Sequence, residues 1–390
     1  MMLRNRFSSI IYNSNFFPYP LKFEISTFLK LGLYTSFMAG CSYIKSIFLK
    51  RKEVTLEDFM VNRFGYVLYS IFFKDYTKKV WGKDASELSC EWGYQRIRKL
   101  SLLKTILNSI LSNFKFLNFK KEKSLIDQFY YPKYGCSQLW ELMEKYIVEN
   151  GGYVIKDAEF VDFQCKENNI LSVKFKNSDR QHTEINSNYV VSTIPIKDLI
   201  FGLDAPVNIK QDAFNLPYRD YILVSFYTNA FNLKNETKYR TINNITPDCW
   251  IYLQEKDAIA ARIQIMNNWS PYLVKDFRNN YLVSLEYFAN ETDDFWKKTD
   301  NEILEIAKME AQKYNLFKIE NIIKSFVVRE RKAYPAYFGS YKNIDKIKEH
   351  LSQYKNLYLA GRNGQHKYNN MDEAMISGIN VAREIVDNNR

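Results

Sequence analysis

The chain has 390 residues, 46% of them hydrophobic, which is too long for one simple core and too apolar for global disorder. Its formal charge of +11 suits an anionic partner such as a dinucleotide or nucleotide sugar, and suits equally a Lys-, Asn-, Ile- and Tyr-rich composition with no binding task. The five cysteines, Cys41, Cys90, Cys136, Cys165 and Cys249, are scattered and without C-x-x-C spacing, which argues against a disulfide framework or zinc site and for a cytoplasmic setting.

Residues 1–20 are aromatic-rich and end in Pro18-Tyr19-Pro20, a signal for extended or turning backbone. From 25 to 121 the pattern is mainly helical, with Phe59, Phe64, Leu68, Phe72 and Phe73 forming a stripe. The most apolar run, 31–44 between Lys30 and Lys45, falls short of the ~18 residues a membrane span needs. It reads as a buried or amphipathic helix, and a membrane surface is disfavoured as partner. Residues 115–123 form a basic connector. A helix over 138–149 stops at Gly151-Gly152. Strands are predicted over 153–161, 170–175, 189–193, 221–227, 250–254, 260–265 and 282–288. A helix over 301–314 precedes a strand over 322–328. The chain closes with a strand over 357–360, a loop, and a helix over 371–387. Helical and β segments interleave, so the fold class is mixed α/β and its lobes are discontinuous.

Chemistry concentrates in 356–378. A short strand ends at Gly361, where backbone can approach a ligand. A helix then starts at an N-cap of Asn369 or Asn370, its free N–H groups suited to an anion or electron-rich ring. Ala374 and Gly378 give that helix a small-residue face. An ordinary capped strand–loop–helix explains the segment equally well; the crowding of Arg362, His366, Lys367 and Tyr368 is what points to charge handling. No metal site is indicated, since His182, His350 and His366 lack ligands at useful spacing. No aromatic-and-basic motif supports nucleic-acid binding.

Gly361-Arg362, Lys367-Tyr368 and Asn370-Met371-Asp372 together resemble the closing flavin motif of UDP-galactopyranose mutases and related amine-oxidase-type flavoproteins. Val61-Asn-Arg-Phe-Gly65 through Tyr76-Thr-Lys-Lys-Val-Trp81-Gly82 resembles the helical signature of the same group. Tyr131-Pro-Lys-Tyr-Gly135, Val190-Val-Ser-Thr-Ile-Pro195, Leu216-Pro-Tyr-Arg-Asp220, Asn268-Trp-Ser-Pro271, Leu285-Glu-Tyr-Phe288 and Lys332-Ala-Tyr-Pro335 are similar to further blocks, also found in a protoporphyrinogen-oxidase-like branch.

The resemblance implies a two-lobed FAD/NAD(P)-binding-type flavoprotein fold. An incomplete Rossmann lobe would comprise 1–20, 123–200 and 325–390, and a helical-plus-antiparallel-sheet substrate lobe 21–122 and 201–324. FAD is the implied cofactor, with its isoalloxazine between the lobes and the backbone N–H of Met371 facing the ring carbonyl. Gly361, Asn370, Ala374 and Gly378 would border the ring, with Thr193 and Pro195 on its other side. Arg362 is the candidate catalytic cation, holding a substrate phosphate or carboxylate, with a solvated surface arginine as the alternative; Tyr368 would assist or simply pack, and His366 would move a proton unless it is, as such residues more often are, a plain loop histidine. Lys79 and Trp81 would line the substrate side.

The sequence departs from the family in one large respect. None of its 13 glycines falls in the G-x-G-x-x-G spacing that grips the FAD pyrophosphate. Met1 stands where the family pattern is already past its first βαβ unit of ~30 residues. A late gene start, a split or decayed gene, and a real short form all account for this, and an exposed sheet edge or apolar face is expected. Tyr134 stands where relatives often carry glycine. Arg362 replaces the acidic residue of many amine oxidases, which favours the mutase side, whereas the middle sheet lacks a tyrosine- and arginine-rich segment for a nucleotide sugar. The expected function is an FAD-dependent oxidoreductase of unknown substrate, active or inactive in this form. The alternatives are a mutase acting on a nucleotide sugar and a non-catalytic remnant. Its partners would be a small, anionic substrate and a separate Rossmann-bearing chain.

Overall fold

The computed structural model describes residues 1–19, 21, 25–96 and 128–388; the expected helical stretch beyond 96 and the basic connector at 115–123 lie outside the described residues. Two compact units emerge, Met1–Met143 with Tyr221–Glu330, and Glu144–Asp220 with Arg331–Arg390.

In the first unit, strands β1 (Met2–Asn5), β2 (Ser8–Tyr12) and β3 (Asn15–Pro18) occupy the aromatic-rich opening segment. Helices α1 (Ile25–Leu31), α2 (Leu33–Phe48), α3 (Leu56–Tyr69), α4 (Asp75–Trp81) and α5 (Cys90–Arg96) follow, with a π-helical turn at Ser70–Lys74. A capping box sets the start of α3, Thr55 accepting from the Asp58 N–H while the Asp58 carboxylate accepts from the Thr55 N–H. Gly65 interrupts α3 with φ +75°, and a Cβ there would sit 2.8 Å from the Tyr43 nitrogen, so only glycine lets the backbones of α2 and α3 come this close. Gly82, left-handed at φ 66°, ends α4. Strand β4 (Gln128–Tyr131) pairs antiparallel with β1, and α6 (Ser137–Glu149) follows.

The chain then enters the second unit. Strands β5 (Glu159–Lys166), β6 (Asn169–Lys176) and β7 (His182–Asn186) form an antiparallel meander. The strand expected from 153 begins only at Glu159; Tyr153 is 90% exposed and Asp157 is left-handed, so no neighbour recruits the segment. β7 escaped the sequence reading because His-Thr-Glu-Ile-Asn is exposed throughout and offers no alternation. After β8 (Val190–Ser192), the short helices α7 (Ile196–Leu199) and α8 (Val207–Phe214) pack Ile196, Leu199 and Ala213 into this unit's core.

Strand β9 (Tyr218–Thr228) leads into the large sheet of the first unit, followed by β10 (Trp250–Leu253), β11 (Arg262–Ile265), α9 (Met266–Trp269) and β12 (Tyr281–Ala289). Helices α10 (Asp294–Lys297) and α11 (Asp300–Lys313) precede β13 (Ile322–Pro335). The seven strands run β13-β9-β12-β11-β10-β2-β3. Period-two alternation turns Ile251, Ile263, Ile265, Val283 and Leu285 to one face, where Ile303, Ala307 and Ala311 of α11 close the core.

The second unit finishes with α12 (Ile344–Leu351), β14 (Leu357–Leu359), α13 (Gly361–Gly364) and α14 (Met371–Asp387). β14 pairs in parallel with β8, leaving a two-stranded sheet. Buried Asn356 pins it: Nδ2 donates to the Ile170 carbonyl at 2.8 Å, and Oδ1 accepts from the Ile170 N–H at 2.9 Å. Among the described residues, no helix is long and apolar enough to cross a membrane.

Candidate functional site

The strand–loop–helix closing the second unit is built from the edge of β14 outward. Gly361 has φ +73°, and a Cβ there would make only ordinary contact with Thr193, 3.7 Å away; the backbone conformation demands glycine, not a close approach. Its N–H donates to Ser377 Oγ at 2.8 Å, and that hydroxyl donates to the Ala374 carbonyl at 2.6 Å, tying the loop to α14. The closely packed glycine is Gly364, whose missing Cβ would fall 2.4 Å from the Ser192 carbonyl oxygen on β8.

Arg362 is half-buried and held from two sides. Nε donates to the Asn369 carbonyl at 2.8 Å and Nη1 to the Ala333 carbonyl at 2.9 Å. Its guanidinium lies 4.9 Å from the Tyr334 ring and 5.3 Å from the Tyr368 ring, and those rings stack at 5.2 Å. Cation–π attraction and the two carbonyls fix the cation without neutralising it. Tyr368 is positioned in turn by its N–H, which donates to the Tyr337 hydroxyl at 2.7 Å.

His366 is fully enclosed, edge-on to Tyr218 at 4.8 Å and stacked on Tyr341 at 5.9 Å. Nε2 lies 3.2 Å from the Ala336 carbonyl, while Nδ1 has no partner among the described residues. Burial draws its pKa down to about 4, so the ring is neutral at ordinary pH. This placement is that of a packed histidine beneath the loop, without solvent access for proton transfer.

Asn370, of the two N-cap options, caps α14 in a capping box with Glu373. Met371 is 42% exposed, and nothing lies within 4 Å of where a Gly378 Cβ would stand, so that side of α14 is open. Thr193 is exposed beside Gly361, and Pro195 starts α7. Arg362, Tyr368, Thr193, Gly361, Asn370 and Met371 thus share one loop cluster within this unit. Tyr334, Tyr337, Gly364 and Ser377 belong to it as well; the Lys332-to-Pro335 block was a visible signal for Tyr334, whereas nothing in the sequence marks the others.

β14 borders a groove of ≈510 Å³ lined by Leu357, Leu359, Gln365, Glu373, Ile376, Ser377 and Val381, among others. The Val190 N–H donates to the Asn356 carbonyl and the Ala360 N–H to the Ser192 carbonyl, so the even-numbered backbone groups face β8. Parallel pairing then turns those of Leu357 and Leu359 to the outer edge, along the groove, where the Leu357 N–H donates to the Tyr354 carbonyl and Gln365 Nε2 donates to the Leu359 carbonyl, each at 3.2 Å.

Lys79 and Trp81 stand in the first unit. Lys79 Nζ donates to the carbonyls of Leu253, Glu255 and Ala260 at 2.9, 3.2 and 3.3 Å, and burial draws its pKa down to about 8. Trp81 is 3% exposed and packs edge-on to Trp92. The sheet face opposite the α11-covered core carries Arg262, whose Nε donates to the fully buried Glu286 at 2.5 Å. Burial raises the Glu286 pKa and Arg262 opposes that shift. A separate pocket of ≈350 Å³ holds Arg4 and Arg240 and no carboxylate. No group of three metal-ligating side chains occurs among the described residues.

No family model matches the chain, and no curated protein matches it. Solved structures do. Reduced UDP-galactopyranose mutase superposes with a TM-score of 0.77 at 17% identity, over 99% of this chain and 79% of that one. A protein assigned as a protoporphyrinogen oxidase from Exiguobacterium sp. 255-15 gives 0.68 at 12%, over 99% and 81%. A putrescine oxidase redesigned in its cofactor binding gives 0.58 at 12%, over 99% and 82%. At such identities the likeness is one of fold, and the strand–loop–helix above is part of it: the chain has the fold of the FAD-dependent oxidoreductases that includes UDP-galactopyranose mutase and the amine oxidases.

Proposed function

We propose that this chain acts as an FAD-dependent oxidoreductase of the amine-oxidase superfamily on a small anionic substrate, its flavin lobe completed by a glycine-rich strand–turn–helix unit. The observation carrying this reading is Arg362, which two carbonyls and two stacked tyrosines hold in place while Nη2 has no hydrogen-bond partner among the described residues. A cation so fixed loses little entropy when it meets a phosphate or carboxylate.

The residues present fit one end of FAD. The open face over Gly378 and the α14 N-terminus, with the Met371 N–H in its first turn, suit the ring edge. When bound, FAD would supply hydride acceptance. The pyrophosphate end has no counterpart here, because no G-x-G-x-x-G occurs in the sequence. The groove along the outer edge of β14 supports addition of a parallel strand there once Gln365 releases the Leu359 carbonyl, which would bring a glycine-rich turn beside the same helix.

Titrating FAD into the chain fused to such a strand–turn–helix unit tests the reading through quenching of flavin fluorescence. Gly378→Leu, which fills the open face, should weaken flavin binding by about tenfold or more without lowering the melting temperature. Equal affinity in Gly378→Leu would remove α14 from the site. A mutase reading shares this flavin site and differs in the substrate: the paired tyrosines around Arg362 favour a nucleotide-sugar phosphate as the bound anion. Conversion of a nucleotide sugar without net oxidation, lost in Arg362→Ala, would select it.

A further inference from the structure

Helix α2 is inside out. Its small and polar residues turn toward α3: Ala39 and Ser46 are buried, and Ser42 Oγ accepts from the Val67 N–H at 3.2 Å. Its large apolar residues turn to solvent instead. Leu33, Tyr34, Phe37, Ile44 and Phe48 are 76%, 78%, 68%, 56% and 80% exposed. At 100° per residue they form one continuous stripe along the helix. A patch of this extent marks a surface that is covered in use.

Charge identifies the cover. Residues 25–52 carry Lys30, Lys45, Lys50, Arg51 and Lys52 and no Asp or Glu. Arg51 is paired with Glu57 at 3.2 Å and Asp58 at 3.6 Å, and Lys30 and Lys50 donate to the Phe16 and Asn62 carbonyls. The Lys45 and Lys52 side chains have no partner among the described residues. A symmetric contact between two copies of this helix would bring two acid-free cationic segments together, against Coulomb repulsion. An anionic bilayer attracts the same cations and accepts the apolar stripe, with Tyr34 suited to the headgroup level. At 16 residues α2 is ~24 Å long, short of the ~30 Å hydrocarbon core, so it lies in the plane of the interface and does not cross it.

We propose that the outer face of α2 docks this chain on the surface of an anionic lipid bilayer. The sequence reading disfavoured a membrane surface because an apolar run of this length is ordinarily buried; the exposure of Leu33, Phe37 and Phe48 is the observation that argues otherwise.

Flotation of the purified full chain with vesicles tests it, using phosphatidylcholine alone and phosphatidylcholine with about 30% phosphatidylserine. The chain should float at least about tenfold more on the anionic vesicles and be released at high salt. Phe37→Ser/Phe48→Ser should abolish flotation with an unchanged melting temperature, since neither ring is in the core. Lys45→Glu/Lys52→Glu should remove the preference for phosphatidylserine. Absence of flotation, or flotation unaltered by both variants, overturns the proposal. So does a dimer in analytical ultracentrifugation that Phe37→Ser/Phe48→Ser dissolves without any lipid binding, which would make a second copy the cover.

Discussion

At Gly364 an added methyl group has nowhere to go: it would meet the Ser192 carbonyl at 2.4 Å and the Thr193 Cα at 3.1 Å, both backbone atoms. Gly364→Ala should therefore cost about 1–3 kcal/mol in a denaturation series. Gly378→Ala, in helical backbone with open space around it, should be neutral or stabilising by up to ~1 kcal/mol. His366 makes a pH-dependent prediction. Its folded pKa, about 4, lies below the ordinary 6.5, so the folded state resists protonation. Stability is intact above the ordinary value and is lost as pH falls from there toward about 4, by about 3 kcal/mol in all. His366→Gln should flatten that part of the pH profile in urea unfolding. For Lys79, whose ammonium serves three carbonyls, Lys79→Met should cost about 1–3 kcal/mol by leaving them without a donor.

At the scale of elements, the terminal strand–loop–helix was legible because each part carries its own local signal: an apolar strand, a positive-φ glycine and an N-cap asparagine with Glu373 three residues on. The direction in which α2 faces was not legible. Its apolar periodicity is real, but periodicity defines a stripe and leaves open whether that stripe meets a core, and here Gly65 and the small residues decide it. Gly65→Ala combines a positive φ with a 2.8 Å clash against the Tyr43 nitrogen, and should separate α2 from α3 at a cost above ~2 kcal/mol, read by chemical denaturation. His366 was equally opaque, since the rings enclosing it, Tyr218 and Tyr341, are distant in sequence. Helix α6 buries no residue and exposes Trp140, Leu142 and Tyr146.

For the whole molecule, ordered blocks of residues identified a fold that no single motif specified, and the superposition on UDP-galactopyranose mutase over 99% of the chain reaches that fold independently of them. Flavin binding is where sequence and structure pull apart. On the proposed reading Arg362, Met371 and Gly378 would border one end of a flavin, while the glycine-rich turn for the pyrophosphate has no counterpart in the sequence. The most direct measurement is the visible spectrum of the purified chain after gel filtration with excess FAD, taken with and without a strand–turn–helix unit fused ahead of Met1. The expected result is a colourless chain that acquires a persistent flavin band only in the fusion. A fusion that folds and remains colourless would contradict it.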